Sequence, residues 1–287
     1  MSFRSACLLL AALAVLATPA RAAEEIWAVT TSNNLINFIS NNAWVFSSRP
    51  ITGLAPGEQA LAIDYRPAVP AGRLYVLGST GRIYLVNNPN SGVASAVGAG
   101  PFAVLSGTHF GFDFNPTVDR IRLVSDTGMN LRLHPDTGAL VATDGAIAYG
   151  AGDPNFGLDA DATGAAYTNS VAGAVSTTLF DLDSKQGVLA RQTPPNSGTL
   201  ATVGPVGMAF SGVNGFDISG LSGTAYAAFD MGGTQSSLVT IDLASGAASP
   251  LGLIGCQEPI RGLSVSPFIP TPTRKNSWGG LKSDFRK

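Results

Sequence analysis

Charged side chains alternate with apolar ones in one short stretch of this 287-residue chain, GFDFNPTVDRIRLVSDTG at 111–128. The groups in and just after it that could bind a ligand are Arg120, Arg122, Asp126, Arg132 and His134. Guanidinium groups present a planar fork of N–H donors, which suits a carboxylate or a sulfate and can also hydrogen-bond a sugar. One hypothesis is therefore a ligand site for one of these groups.

A second set of candidate residues is a series of aspartates that recur in similar short runs. Each run has a small residue, an apolar residue and then Asp or Ser, at Asp64, Asp113, Asp159, Asp217 and Ser264. The interpretation that we favour is structural: each Asp lies on an inner strand and accepts hydrogen bonds from a neighbouring turn. The alternative is a ring of carboxylates that holds a cation.

Motifs for metals and for enzyme chemistry are few. DADATG at 159–164 offers oxygen ligands like the start of a calcium loop, but the twelfth position is Ser170 and not an acidic residue. His109 and His134 have no zinc-site spacing, and the sequence has neither a G-x-S-x-G elbow nor a phosphate-binding glycine loop. We expect no cofactor, with a bound calcium ion as the alternative. We also favour a protein that is not an enzyme.

The elements that must position these residues are strands. The chain has 34 Gly and 18 Pro, which separate short apolar runs and indicate many strands joined by tight turns. Four Glu in the whole chain, and one Lys between Ala23 and Pro267, are too few for solvent-facing helices. The same body has 10 basic against 18 acidic residues, which argues against a nucleic-acid partner.

The spacing of the recurring runs predicts the architecture. The five positions are 49, 46, 58 and 47 residues apart, a period typical of propeller blades. Each unit continues with further alternating runs and a glycine hairpin, which makes four strands. EEIWAVTTSNNLINF lacks a first strand, whereas IRGLSVS near the C-terminus is a first strand alone. The sequence predicts an all-β, five-bladed β-propeller whose C-terminal strand pairs with the N-terminal blade.

The repeat also provides a control for Arg122. The residues at its position on the other predicted second strands are aromatic: Trp27, Tyr75, Tyr167 and Tyr226. In the structural interpretation, which we favour, the stem of Arg122 covers the aromatic site and its head pairs with Asp119 or Asp126. In the functional interpretation it is the ligand fork described above.

Several longer segments resemble a known family. GFDFNPTVDRIRLVSDTGMNLRLHPDTGALVATDG, AAYTNS, TTLFDLDS, TPPNSGTLATVGPVG and GFDISG are similar to an exported bacterial family, domain of unknown function 4394. The resemblance covers nearly the whole body and includes pieces outside the repeat. It implies an exported, propeller-like domain and brings no assigned activity, substrate or catalytic residue.

The two ends of the chain differ from the body. Residues 1–22 have a basic start, an apolar core from Ala6 to Ala17 and an Ala-Arg-Ala ending, the pattern of a secretory signal peptide. That core is shorter than the roughly 20 apolar residues of a transmembrane helix. We expect a signal peptide at 1–22, the propeller at 23–267 and a basic, disordered tail at 268–287. The protein is then exported, to a periplasm or outside the cell, and monomeric.

Three functions fit these expectations. We favour a non-catalytic binding module for an extracytoplasmic glycan, peptide or partner protein, because propellers carry their function on loops. The alternative is a hydrolase or lyase that acts on polysaccharide or a small ester at the channel mouth, which needs two carboxylates across a cleft. The third is a surface or matrix component without a small ligand.

Overall fold

The structure is a computed structural model that describes residues 22–69 and 72–268. The predicted signal peptide and basic tail lie outside these residues, apart from Ala22 and Phe268. Within the described ranges there are two 3-10 turns (Pro89–Ser91 and Pro195–Ser197), and no helix there is long and apolar enough to span a membrane. The strands are β1 (Glu25–Thr30), β2 (Asn34–Ile39), β3 (Asn42–Pro50), β4 (Ala60–Arg66), β5 (Arg73–Gly78), β6 (Arg82–Val86), β7 (Ser95–Val97), β8 (Phe110–Asn115), β9 (Arg120–Ser125), β10 (Asn130–Leu133), β11 (Leu140–Thr143), β12 (Ala148–Tyr149), β13 (Ala162–Tyr167), β14 (Leu179–Asp183), β15 (Val188–Gln192), β16 (Thr199–Pro205), β17 (Asn214–Ile218), β18 (Ala225–Asp230), β19 (Ser236–Ile241), β20 (Ala248–Leu253) and β21 (Ile260–Val265).

Five sheets form the blades of a propeller, which confirms the predicted fold. From the axis outward their orders are β21-β1-β2-β3, β4-β5-β6-β7, β8-β9-β10-β11, β13-β14-β15-β16-β12 and β17-β18-β19-β20, which we number blades 1 to 5. Blade 1 is closed by antiparallel pairing of β21 with β1, as predicted. The inner strands β21, β4, β8, β13 and β17 contact one another in turn around the axis.

The hydrophobic core is divided among the seams between blades. Each of the five clusters of buried apolar side chains joins residues of two neighbouring blades. A blade therefore buries both of its faces, so even its second strand is apolar at nearly every position, as in RLYVLG of β5. The outer strands face solvent: most residues of β3 are exposed.

The strand assignment from the sequence is wrong in blade 4. Asp159 does not lie on an inner strand: it is exposed in the loop before β13, where its carboxylate pairs with Lys185. The run that contains Tyr167 was predicted to be a second strand, yet it is the inner strand β13, and Ala166 takes the position of the recurring Asp. FGLDADA imitates the repeat, whereas the true inner strand lacks its Asp, so the pattern selected the wrong run. Phe180, opposite Ala166, is the aromatic residue that takes the place assigned to Tyr167.

The small residue of the repeat marks the closest approach of neighbouring inner strands. Two positions before the recurring Asp or its substitute the chain has Ala62, Gly111, Gly164, Gly215 and Gly262. A Cβ at Gly215 would lie 2.6 Å from the Leu263 backbone nitrogen of the next blade, and one at Gly111 would lie 2.6 Å from the Ala165 nitrogen. Backbone atoms in a closed ring cannot move aside, so these strands require glycine.

We predict that Gly215→Ala lowers the free energy of unfolding by at least about 1–3 kcal/mol, because the added methyl overpacks the ring. Gly100→Ala is the matched control, since nothing lies within 4 Å of a Cβ there. Its change should stay within about 0.5 kcal/mol. Urea unfolding of both variants measures the difference, and equal small effects would contradict the close approach.

Candidate functional site

The recurring aspartates lie around the propeller axis and bind the backbone. An inner strand is the edge of its sheet, so N–H groups on its axial side have no strand partner. The Phe114 N–H donates to Asp64 of the preceding blade at 2.8 Å, and the Val265 N–H donates to Asp217 of the preceding blade at 2.6 Å. The Tyr167 N–H donates likewise to Asp113, at 3.2 Å. The sequence had suggested that the donors lie in a neighbouring turn. The structure places them on the adjacent inner strand instead.

Two blades have no aspartate at this position, and the axial N–H groups of the strands that follow them find other acceptors. The Ser264 hydroxyl accepts from the Tyr65 N–H at 3.1 Å and donates to Asp64 at 2.8 Å. Ala166 of blade 4 offers no acceptor, and the Ile218 N–H of blade 5 donates to its own Asp217 at 2.6 Å. Each of the five inner strands therefore has a side-chain acceptor for the same N–H group.

Three buried carboxyls come together as a result. Asp64, Asp113 and Asp217 each place an oxygen within 4.8 Å of the others, and all three are almost fully buried. Burial raises the pKa of Asp217 to about 6, against the lowering effect of its N–H donors. Burial, followed by the charge of neighbouring carboxylates, raises the pKa of Asp64 and Asp113 well above the usual value. Carboxyls this close together and this deeply buried oppose one another's ionisation.

Arg122 is buried in the seam between blades 3 and 4. Its side chain is 2% exposed. On β9 it lies opposite Asp113 of β8 in the strand register, which is the position that the repeat predicts. Its Nη1 donates to Asn130 at 2.5 Å and to Asp144 at 2.7 Å, and its Nη2 donates to Asn196 of blade 4 at 2.7 Å. Its Nε lies 3.3 Å from the Tyr167 hydroxyl, also in blade 4. Arg122 therefore fastens one blade to the next.

The predicted partners of Arg122 are corrected by this geometry. Asp119 pairs with Arg66 of blade 2, and Asp126 lies at the other end of β9, where it accepts from His109. The carboxylate that Arg122 reaches is Asp144, which follows β11. A loop carboxylate after the fourth strand is brought back to the second by the fold, which no spacing in the sequence indicates.

Arg132 and Arg120 complete a cationic cavity beside Arg122. Arg132 lies opposite Arg122 on β10, and its Nε and Nη2 donate to the two oxygens of Asp144 at 2.7 and 2.9 Å. Arg120 donates through Nη1 to the Asp119 carbonyl at 2.8 Å. The three arginines line a cavity of about 240 Å³, which we call the seam cavity, together with Asn115, Val118, Ile121, Tyr167, Pro194, Pro195 and Asn196.

The electrostatics of the seam cavity are positive. Hydrogen bonds and charge from Arg132 and Arg122 hold the pKa of Asp144 below its usual value despite burial, so it is ionised. Three guanidiniums line the cavity, and this one carboxylate pairs with two of them, Arg122 and Arg132. Of the five residues predicted to bind a ligand, Arg120, Arg122 and Arg132 line this cavity. Asp126 does not, and His134 lies in the following hairpin, where its Nδ1 accepts from the Asp136 N–H at 3.2 Å.

The seam between blades 3 and 4 is also the place of an unpaired acid. The core cluster there has one residue of blade 3, Val124, because Arg122 and its partners take the rest of that face. Asp181 of β14 is fully buried in this seam, and neither of its oxygens has a partner among the described residues. Burial raises its pKa to about 8, although the charge of Arg122 opposes the shift. Asp181 is therefore protonated at neutral pH.

Some residues of the site could not be found from the sequence. Asn196 and Tyr167 belong to blade 4, and they reach the cavity only because blade 4 packs against blade 3. The turn that carries Asn196 has a counterpart, since PNSG occurs at both 89–92 and 195–198, each as a 3-10 turn followed by a left-handed Gly. The repeated PNSG motif is therefore the one sequence signal that could have pointed to the turn of Asn196.

Comparisons with known proteins agree on the fold. The family described as Domain of unknown function (DUF4394) matches residues 34–264, which confirms the resemblance found in the sequence. A search of curated proteins gives no match. Similar solved structures include a protein of unknown function from Bacteroides thetaiotaomicron, with a TM-score of 0.50 and 13% identity over 83% of this chain and 62% of that one. This chain thus spans about three fifths of that protein's length.

Two further structures have lower TM-scores. A putative 6-phosphogluconolactonase from Bacteroides uniformis has a TM-score of 0.39 and 12% identity, covering 82% of this chain and 83% of that one. Glutaminyl cyclase from Myxococcus xanthus has a TM-score of 0.43 and 10% identity, covering 76% of this chain and 95% of that one.

We predict that Arg122→Met destabilises the protein by about 3–5 kcal/mol, because it leaves buried partners without their cation. Arg191→Met, at an exposed position of β15, is the control and should change stability by less than about 0.5 kcal/mol. Guanidinium unfolding measures both. A neutral Arg122→Met would show that the guanidinium does not hold the seam.

We also predict a pH signature for Asp181. Its raised pKa means that its contribution to stability is complete below the unfolded pKa of about 4 and is lost as pH rises to about 8. Asp181→Asn removes this titration. The free energy of unfolding of the variant should therefore rise relative to that of the wild type by up to about 1.4 kcal/mol per pH unit across that range. Urea unfolding between pH 4 and 9 measures the gain. A constant difference would contradict burial of the acid.

Proposed function

The chain belongs to the DUF4394 family, a domain of unknown function, and we propose that this protein is an exported, non-catalytic binding module whose seam cavity takes the carboxylate of a ligand. Export rests on the signal-peptide pattern of residues 1–22. One observation carries the assignment of the ligand: three guanidiniums line the seam cavity, and the one carboxylate that pairs with any of them, Asp144, binds only Arg122 and Arg132 among the described residues.

Two of the three arginines keep donors for a ligand. Within the described chain, Arg120 uses only Nη1, and Arg132 uses Nε and Nη2. Arg120 therefore has Nε and Nη2 available, and Arg132 has Nη1. Arg122 is bound by the fold and supplies charge from the floor of the cavity. Charge-assisted hydrogen bonds to a carboxylate are among the stronger polar contacts that a protein makes.

The remaining wall favours a ligand with an apolar body or a sugar ring. Val118, Ile121, Pro194 and Pro195 line the cavity beside the arginines. At about 240 Å³ it can hold a monosaccharide-sized group rather than a whole polymer. A uronic acid at the end of a glycan and the terminal carboxylate of a peptide share this chemistry.

The cavity offers little for catalysis. None of the described residues that line it is an Asp, a Glu or a His. A glycosidase needs two carboxyls on either side of the bond it breaks. The lining therefore supports binding over the hydrolase or lyase alternative.

We predict that D-glucuronate raises the melting temperature and that D-glucose, which lacks the carboxylate, does not. Arg120→Gln and Arg132→Gln should each weaken glucuronate binding about tenfold or more, the equivalent of about 1.4 kcal/mol for a charged hydrogen bond. Isothermal titration at low salt measures the affinities.

Arg191→Gln removes the same charge from an exposed position of β15, outside the cavity, and serves as the control. It should bind glucuronate like the wild type. Benzoate and a dipeptide with a free C-terminus extend the panel to ligands that are not sugars. Equal binding of glucose and glucuronate, or equal losses in all three variants, would contradict the proposal.

A further inference from the structure

A second cavity lies on the propeller axis, on the opposite face from the seam cavity. It has a volume of about 150 Å³ and is lined by residues of four blades, among them Gln59, His109, Gly212 and Arg261. We call it the axial mouth. His109 precedes β8, whereas the seam cavity lies where β8 ends and β9 begins, so the two cavities are separated by the length of a blade strand.

The imidazole of His109 has a fixed orientation. Its Nδ1 lies 3.0 Å from Asp126, whose carboxylate also accepts from the Thr108 N–H at 2.9 Å and the Thr108 hydroxyl at 2.7 Å. These bonds outweigh partial burial and hold the pKa of Asp126 below its usual value. Because an ionised carboxylate can only accept, Nδ1 carries a proton, and in the neutral form of an imidazole held in this way Nε2 is the acceptor.

Gly212 holds the ring in this position from its other side. A Cβ at Gly212 would lie 2.6 Å from Nδ1 of His109 and 2.7 Å from its Cγ. The imidazole therefore packs directly on the backbone of blade 5, and any larger residue would displace it. The orientation of Nε2 is set by two blades together.

Arg261 is a cation without a counter-charge at the same mouth. Its Nη1 donates to the Gln59 side-chain oxygen at 2.8 Å, and no carboxylate among the described residues pairs with it. Burial lowers the pKa of Arg261 from its ordinary value, but a guanidinium remains charged at neutral pH. A partly desolvated cation next to an open cavity favours an anion there.

We propose that the axial mouth binds a small hydroxy acid, or the hydroxy-acid end of a larger ligand. Arg261 binds its carboxylate, and Nε2 of His109 accepts the hydrogen bond of its hydroxyl. The cavity has the volume of about five water molecules, which is the size of a three-carbon hydroxy acid. This site is independent of the seam cavity, since the two share no lining residue.

Three probes that differ by one group test the proposal on the wild-type protein. Lactate has both groups, propionate lacks the hydroxyl, and 1,2-propanediol lacks the carboxylate. Isothermal titration should give lactate at least a tenfold higher affinity than either of the others, and both enantiomers of lactate are measured. Equal affinities of lactate and propionate, or no binding of lactate, would overturn the proposal.

Two variants assign the two contacts. Arg261→Gln should lower the affinities for lactate and propionate to that of propanediol. His109→Gln should lower the affinity for lactate to that of propionate and leave the affinity for propionate unchanged. Gly212→Ala should repeat the effect of His109→Gln by displacing the ring. The melting temperature of each variant confirms folding, and Arg191→Gln is the charge control.

One further outcome separates this site from the proposed function. If lactate binding survives in Arg261→Gln and is lost in Arg132→Gln, the hydroxy acid occupies the seam cavity. That result overturns the axial site and leaves the proposed function standing.

Discussion

The structure depends on one hydrogen-bond requirement at the propeller axis. Five inner strands approach so closely that glycine or alanine is required at one position of each, and their axial N–H groups have no strand partner. Two residues further along, three aspartates each accept a hydrogen bond from the next blade, and Ser264 does the same for blade 2. The ring is thus closed by polar cross-links, at the cost of burying three carboxyls together, where each opposes the ionisation of the others.

Contacts between blades also determine which charged side chains remain able to bind a ligand. Arg66 binds Asp119 and Asp136 between blades 2 and 3, and Glu24 accepts from Ser222 and Tyr226 between blades 5 and 1. These groups and Arg122 belong to the fold, because each is buried and saturated by partners from a neighbouring blade. Among the described residues, Arg120 and Arg132 keep unused donors at the seam cavity, and Arg261 keeps unused donors at the axial mouth.

The sequence predicted most of the architecture and part of the site, for identifiable reasons. Period and alternation are local properties, so the five blades and the closure by β21 could be read directly. Blade 4 was misassigned because Ala166 lacks the recurring carboxyl while the nearby loop has one at Asp159. The departure of Arg122 from its aromatic column pointed to the correct blade. Its partner Asp144, and the pairing of His109 with Asp126, arise from contacts between distant segments of blade 3 that no spacing in the chain reveals.

In the proposed function, the seam cavity binds a carboxylate through Arg120 and Arg132. A crystal structure of the protein soaked with 4-bromobenzoate tests this binding, because the ligand has a carboxylate on a flat apolar body and its bromine gives an anomalous signal. We expect a bromine peak in the seam cavity, with the carboxylate within hydrogen-bond distance of Nη2 of Arg120 and Nη1 of Arg132. A seam cavity without that peak, in a crystal where the ligand is bound elsewhere, would contradict it.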